Sequence, residues 1–140
     1  MTRILTLICV SISLLSCKSS GPFGDGEAIL KEVYGSSLTG FELQFEDITW
    51  SGTSGSHEFS RRDNLIVKNA QQSTVADRIE KELKRLPTKR GWDSHGSGRT
   101  GDRFLRIDFE EDSAQFYMDF IISQRGDDVE VYCLYKGVRL

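Results

Sequence analysis

The sequence predicts a two-layer α+β domain, an antiparallel sheet of four to five strands with two helices packed on one face. Three observations carry this prediction. Runs in which every second residue is apolar follow one another near the C-terminus, with connections too short for parallel crossovers. A helical stripe at i+4 spacing occupies residues 75 to 86. The length of 140 residues, with 38% hydrophobic and 28% charged residues, fits one globular domain and excludes a disordered chain. A net charge of −3 excludes a general nucleic-acid binder, whose affinity rests on excess Lys and Arg.

The N-terminus stands apart from that domain. Residues 1 to 16 carry one positive charge at Arg3 and an apolar run from Ile4 to Leu15, followed by Ser16 and Cys17. The run is shorter than the roughly 20 residues needed to cross a bilayer and has the layout of a secretory signal. Leu14-Leu15-Ser16-Cys17 resembles the lipobox of bacterial lipoproteins: an aliphatic residue, a variable one, a small one, then Cys. The resemblance implies that Cys17 receives a diacylglyceryl thioether, that cleavage falls between Ser16 and Cys17, and that the new amino terminus is acylated. Lys18 stands where Asp commonly marks inner-membrane retention in that class, so the resemblance points to the outer membrane, on its periplasmic face or its surface. Two or three acyl chains exceed the one-chain threshold for stable anchoring.

Residues 17–26, Ser- and Gly-rich after Cys17, read as a flexible tether, and residues 27–140 as the folded domain. A short helix is expected over Glu27 to Tyr34, with Ile29/Val33 and Leu30/Tyr34 as i,i+4 pairs and Gly35 closing it. Phe41, Leu43 and Phe45 alternate with Glu42, Gln44 and Glu46 in a strand running to Trp50. A second strand from Glu58 to Lys68 places Phe59, Leu65 and Val67 on one face, but Arg61-Arg62-Asp63-Asn64 in its middle suits an edge position. The main helix is expected over Val75 to Leu86. Thr74 and Asp77 have capping-box spacing, Pro87 marks a boundary, and Asp77/Lys81, Glu80/Lys84 and Glu82/Arg85 pair on the solvent side.

Three strands then follow as a meander. Leu105, Ile107 and Phe109 alternate, as do Phe116, Met118, Phe120 and Ile122, and then Val129, Val131, Cys133 and Tyr135. Cys9 leaves with the signal and Cys17 carries lipid, so Cys133 remains as a core thiol and no intramolecular disulfide can form.

The segment from Thr88 to Asp102, TKRGWDSHGSGRTGD, has no periodicity and reads as a long loop. Charge is segregated around it. Residues 78 to 106 hold nine Lys and Arg against four Asp and Glu, and residues 107 to 140 hold three against eight. Trp92, His95 and Arg99 are therefore candidates for contact with an anionic glycan, a lipid headgroup or a protein partner, since Trp and Arg dominate interface hot spots; the other reading is that Trp92 caps the core and the rest is a solvated loop. The alternative is a small hydrolase-like enzyme using Asp93 or His95 in this loop, or a metal site joining His57 and His95. Only two His and no HExxH or CxxC motif support it. Gly91 to Gly96-Ser97 has phosphate-loop glycine spacing without the Lys, and Arg125-Gly126-Asp127 reads as a hairpin turn. Glu42, Glu46, Asp108 and Asp119 read as solvated sheet-face charges, with Asp108 and Asp119 able to sit together, and Glu110-Glu111-Asp112 as a charged turn. No residue is assigned to catalysis, a cofactor or a metal. The expected role is that of a lipid-anchored envelope protein, joined to the membrane through Cys17, that binds another envelope component, protein or glycan, without catalysis.

Overall fold

The computed structural model describes residues 22–51, 58–111 and 114–139. Among these residues the elements run α1 (Pro22–Ser37), β1 (Leu43–Ser51), β2 (Glu58–Val67), α2 (Gln72–Arg90), β3 (Asp93–Thr100), β4 (Phe104–Glu111), β5 (Ala114–Arg125) and β6 (Asp128–Arg139). All strands join one antiparallel sheet in the order β1-β2-β6-β5-β4-β3. The α+β architecture with helices against one sheet face agrees with the expectation, but the predicted four to five strands are corrected to six. The unforeseen strand is β3, cut from the stretch expected to be a loop. Its sequence, DSHGSGRT, shows no apolar alternation because it is an edge strand paired only with β4 and mostly exposed.

Alternation in β4, β5 and β6 does what a half-wet sheet requires. Leu105, Ile107, Phe109, Phe116, Met118, Phe120, Ile122, Val129, Val131, Cys133 and Tyr135 are buried against the helices, while the residues between them are mostly exposed or half-buried. Val75, Ala76, Ile79, Leu83 and Leu86 of α2 and Ile29, Leu30, Val33 and Tyr34 of α1 close the same core. Each such large apolar side chain contributes about 1.5–3 kcal/mol on burial. The other sheet face carries no helix among the described residues.

The second strand is not at the edge. β2 lies between β1 and β6, with Arg61 opposite Tyr135 and Asp63 opposite Cys133. Arg61 and Asp63 fall on the inward positions of the alternation, and the Arg61 Nε–Asp63 Oδ1 pair, 2.6 Å long, is fully buried beneath α1. The run that looked too charged for an interior strand therefore places an ion pair in the core.

Helix boundaries also move. α1 begins at Pro22 rather than Glu27, so residues 22 to 26 of the expected tether are helical, and it runs past Gly35 to Ser37. Proline is suited to a first helical turn, where no intrahelical partner exists for its missing N–H. α2 begins at Gln72 and ends at Arg90, with Pro87 inside its last turns. The Thr74/Asp77 box is not the start. The N-cap Gln71 makes no side-chain cap, and Gln124 of β5 instead accepts the backbone N–H of Gln72 at 2.8 Å. At the other end Gly91, with φ 70°, closes a Schellman motif in which the Trp92 N–H donates to the Pro87 carbonyl at 2.8 Å. Glu82, expected on the wet side, is 3% exposed, and its contact with Arg85 is 3.6 Å long.

Candidate functional site

The Gly91 turn decides where the predicted contact residues go. A Schellman motif turns the second residue after the helix back onto it, and Trp92 accordingly drops into the core. It is 7% exposed and stacks on Phe109 with centroids 4.1 Å apart and planes 5° from parallel. Of the two readings of Trp92, cap on the core and exposed contact residue, the first is the one that holds. Phe109 continues the stack onto Phe116, and Phe116 onto Tyr135, so Trp92 ends an aromatic row running across β4, β5 and β6.

Arg99 is likewise engaged within the chain. Its guanidinium donates to Asp77 at 2.8 Å, to Glu80 at 3.3 Å and to Asp102 at 2.5 Å, and its Nε to the Gly101 carbonyl at 2.7 Å. The Asp77 and Asp102 hydrogen bonds hold its charge on more firmly than in free arginine. Arg99 thus fastens the free edge strand β3 to α2.

His95, 54% exposed, is the predicted contact residue left on the surface. The register of β3 against β4 shifts between Ser94 and Gly96, and at this bulge His95 Nε2 meets Glu110 Oε2 at 2.9 Å. The pair borders a cleft of about 410 Å³ lined by His95, Asp108, Phe109, Gln115, Phe116, Tyr117 and Val138. Tyr117 and the polar side chains of His95, Asp108 and Gln115 give it its accessible surface, since Phe109 and Phe116 are buried on the core face. Its lining includes His95, Asp108 and Tyr117 but no Ser, Thr, Cys or Lys. Asp93 is exposed on β3, opposite Glu110, and is not among the lining residues. His57 lies outside the described residues, and no group of three or more potential metal ligands occurs among those described.

Next to the cleft, on the open sheet face, is a constellation that residue spacing did not single out. Arg106 of β4 makes a two-pronged contact with Asp119 of β5, at 2.5 and 2.6 Å, and its guanidinium lies 4.9 Å from the Tyr117 ring and 5.9 Å from that of Phe104. Asp119, read from the sequence as a solvated sheet-face charge, is instead buried at 9% exposure and held by Arg106. Asp119 faces Arg106 across the strands, whereas Asp108 faces Tyr117. The Asp119 hydrogen bonds keep Arg106 charged, and nearly half of its side chain remains exposed. Ile121, 46% exposed, extends this surface along β5. A signal was present in the sequence: Phe104, Arg106, Tyr117 and Asp119 occupy the positions alternate to the apolar ones, which is where an open face must show its side chains.

The remaining motifs are structural. Glu46 accepts from Gln44 at 2.9 Å, and Glu42 is exposed beside β1. Gly91 and Gly96 belong to a helix C-cap and an edge strand, so no helix N-terminus follows them to cradle a phosphate. Arg125-Gly126-Asp127 forms the β5–β6 turn, with Gly126 at φ 60° and Arg125 paired to Glu130 at 3.1 Å. Cys133 is fully buried, and burial pushes its thiol far above the ordinary range. The lipobox and Cys17 lie outside the described residues. No helix among the described residues is long and apolar enough to cross a membrane.

No protein-family model and no curated protein sequence matches the chain. Among solved structures it is similar to LpqN, described as involved in cell envelope biogenesis of Mycobacterium tuberculosis, with a TM-score of 0.52 and 10% identity over 74% of this chain and 82% of LpqN. A likeness to CalU16 from Micromonospora echinospora has a TM-score of 0.37 and 9% identity over 70% of this chain and 69% of that one, and no argument rests on it. The similarity to LpqN is one of fold.

Proposed function

We propose that the protein is a lipoprotein of the bacterial cell envelope, held at the outer membrane through lipid on Cys17, whose folded domain is a non-catalytic accessory that binds another envelope component. The observation that carries this reading is Leu14-Leu15-Ser16-Cys17 at the end of a short apolar run preceded by Arg3. The fold shared with LpqN supports it, because that protein is described by a role in envelope biogenesis. The non-catalytic part is supported by how the polar groups are used. Arg99 is bound by three carboxylates, Asp119 by Arg106 and His95 by Glu110, and the one described thiol is buried. The open face around Arg106, Tyr117 and Phe104, continuous with the His95 cleft, is the binding surface in this reading, since exposed Arg and aromatic residues supply most interface energy.

Affinity purification of the full chain from detergent-extracted envelopes tests the proposal. A partner should co-purify with the wild type and be lost with Arg106→Ala/Tyr117→Ala. A partner retained by that variant contradicts the assigned face, and turnover of an envelope substrate abolished by His95→Ala contradicts the non-catalytic role.

A further inference from the structure

The solvent face of α2 is cationic, whereas α1 in the same layer shows exposed Glu27 and Lys31 and half-buried Glu32. On α2, Arg78, Lys81, Lys84, Arg85 and Lys89 are all exposed, and Asp77 is the only exposed carboxylate of that helix. Glu80 is half-buried and Glu82 buried. The contacts of Lys84 with Glu80 and of Arg85 with Glu82 are 3.5 and 3.6 Å long, with both cations more than 60% exposed. Lys81 has no ion pair among the described residues. Such loose pairs leave ammonium and guanidinium donors open to phosphate oxygens. The open sheet face over β4 to β6 is close to balanced, with Asp108, Glu110, Asp119 and Glu130 against Arg106, Arg125 and Lys136.

Chain connectivity holds the helix layer close to residue 17. Four residues, 18 to 21, separate Cys17 from Pro22, so the start of α1 lies at most about 18 Å of extended chain from the lipidated residue. The two helices run antiparallel. Glu32 of α1 pairs with Lys89 and Arg90 at the C-terminal end of α2, while Arg78 near its N-terminal end reaches the Thr39 carbonyl after α1, at 2.9 Å. The anchored end of α1 therefore projects about 15 Å beyond the C-terminal end of α2.

Resting on the lipoprotein reading above, we infer that the solvent face of α2, centred on Lys81, Lys84 and Arg85, docks on anionic phospholipid headgroups and turns the open sheet face away from the membrane. Each basic residue near an anionic surface shifts the balance toward it by about fivefold, within a field that decays over about 10 Å, so the face acts when the anchored domain lies down with α2 against the surface. The consequence is orientation. The surface around Arg106 and Tyr117 is presented outward, to a partner across the aqueous space, instead of being occluded against lipid.

The test uses the full lipidated protein in vesicles that contain a headgroup nitroxide quencher, with a fluorophore on Thr88→Cys of α2 or on Ile121→Cys of the open face. Cys133 is buried and does not compete for label. In phosphatidylcholine vesicles with roughly a quarter phosphatidylglycerol, the label at 88 should be quenched at least about threefold more than in phosphatidylcholine alone. That excess should vanish at about 0.5 M salt and in a Lys81→Glu/Lys84→Glu/Arg85→Glu variant, and the label at 121 should stay unquenched. Equal quenching at 88 in both lipids, indifference to the charge reversal, or stronger quenching at 121 overturns the inference. Flotation of the protein with plain phosphatidylcholine vesicles reports the anchor separately: loss of flotation refutes the lipoprotein reading and the orientation with it, whereas flotation without lipid-dependent quenching refutes the orientation alone.

Discussion

Tyr34 of α1 donates its hydroxyl to Asp63 Oδ2 of β2 at 2.6 Å, while Arg61 Nε holds the other carboxylate oxygen of Asp63 at the same distance. The first helix is thus seated on a buried ion pair that has no access to water. Burial, more than the neighbouring carboxylate, drives the Tyr34 hydroxyl well above its ordinary range, so it is a donor at neutral pH.

Removing one member of a buried pair costs more than removing a donor to it. Tyr34→Phe should therefore destabilise by about 1–3 kcal/mol and Asp63→Ala by about 3–5 kcal/mol. Urea unfolding of the two variants checks the order, and an Asp63→Ala midpoint equal to that of the wild type would contradict the burial of the pair.

Cys133 sits opposite Asp63 and Phe120, fully buried, with its thiol held up chiefly by loss of solvent. Native protein at about pH 8 should react with a thiol reagent only through unfolding. The rate should track global stability and rise in the Tyr34→Phe variant. Rapid labelling of the native wild type would show that α1 does not seal this part of the core.

Glu32 is held below the ordinary carboxylate range by hydrogen bonds from Lys89 first and Arg90 second. A carboxylate with a depressed folded-state value stabilises the fold above its unfolded value, and that contribution is lost as pH falls through the folded one. The loss should begin below about pH 4.5. Glu32→Gln should flatten this part of the acid limb while leaving stability at neutral pH only slightly lower. A variant with an unchanged acid limb would remove Glu32 from the account.

Arg99→Ala should release β3 from α2. Faster amide exchange confined to β3, together with a loss of about 1 kcal/mol in stability for a partly exposed network, is the expected result. Trp92→Ala, by contrast, should cost about 3–5 kcal/mol and loosen exchange through β4 and β5 as well, since its ring terminates the stack on Phe109 and Phe116. Similar exchange patterns for the two variants would contradict the division between a tied edge and a packed core.

These contrasts show which parts of the molecule were legible from residues alone. β4, β5 and β6 announce themselves because each has one face in the core and one in water, and α2 because Val75, Ile79 and Leu83 fall on one side. β3 does not. Its place comes from hydrogen bonding to β4 and from the Arg99 ion pairs, neither of which leaves an apolar period, and its glycines read as a loop. The Arg61/Asp63 pair misled in the other direction, since two charges in a strand suggest a wet edge until a tyrosine from a distant helix is known to satisfy one of them. The candidate site divides the same way. Trp92 and Arg99 have the chemistry of contact residues, but a helix cap and three carboxylates commit them to the fold. Arg106 and Tyr117 carry no motif and become conspicuous only when neighbouring strands place them side by side.

The central claim is attachment through Cys17, and the mass of the N-terminal peptide from membrane-extracted protein tests it most directly. The account predicts a mature chain that begins at Cys17 and carries a diacylglyceryl thioether, with a Cys17→Ala variant left uncleaved and without lipid. An unmodified Cys17, or a mature chain that starts at any other residue, would contradict it.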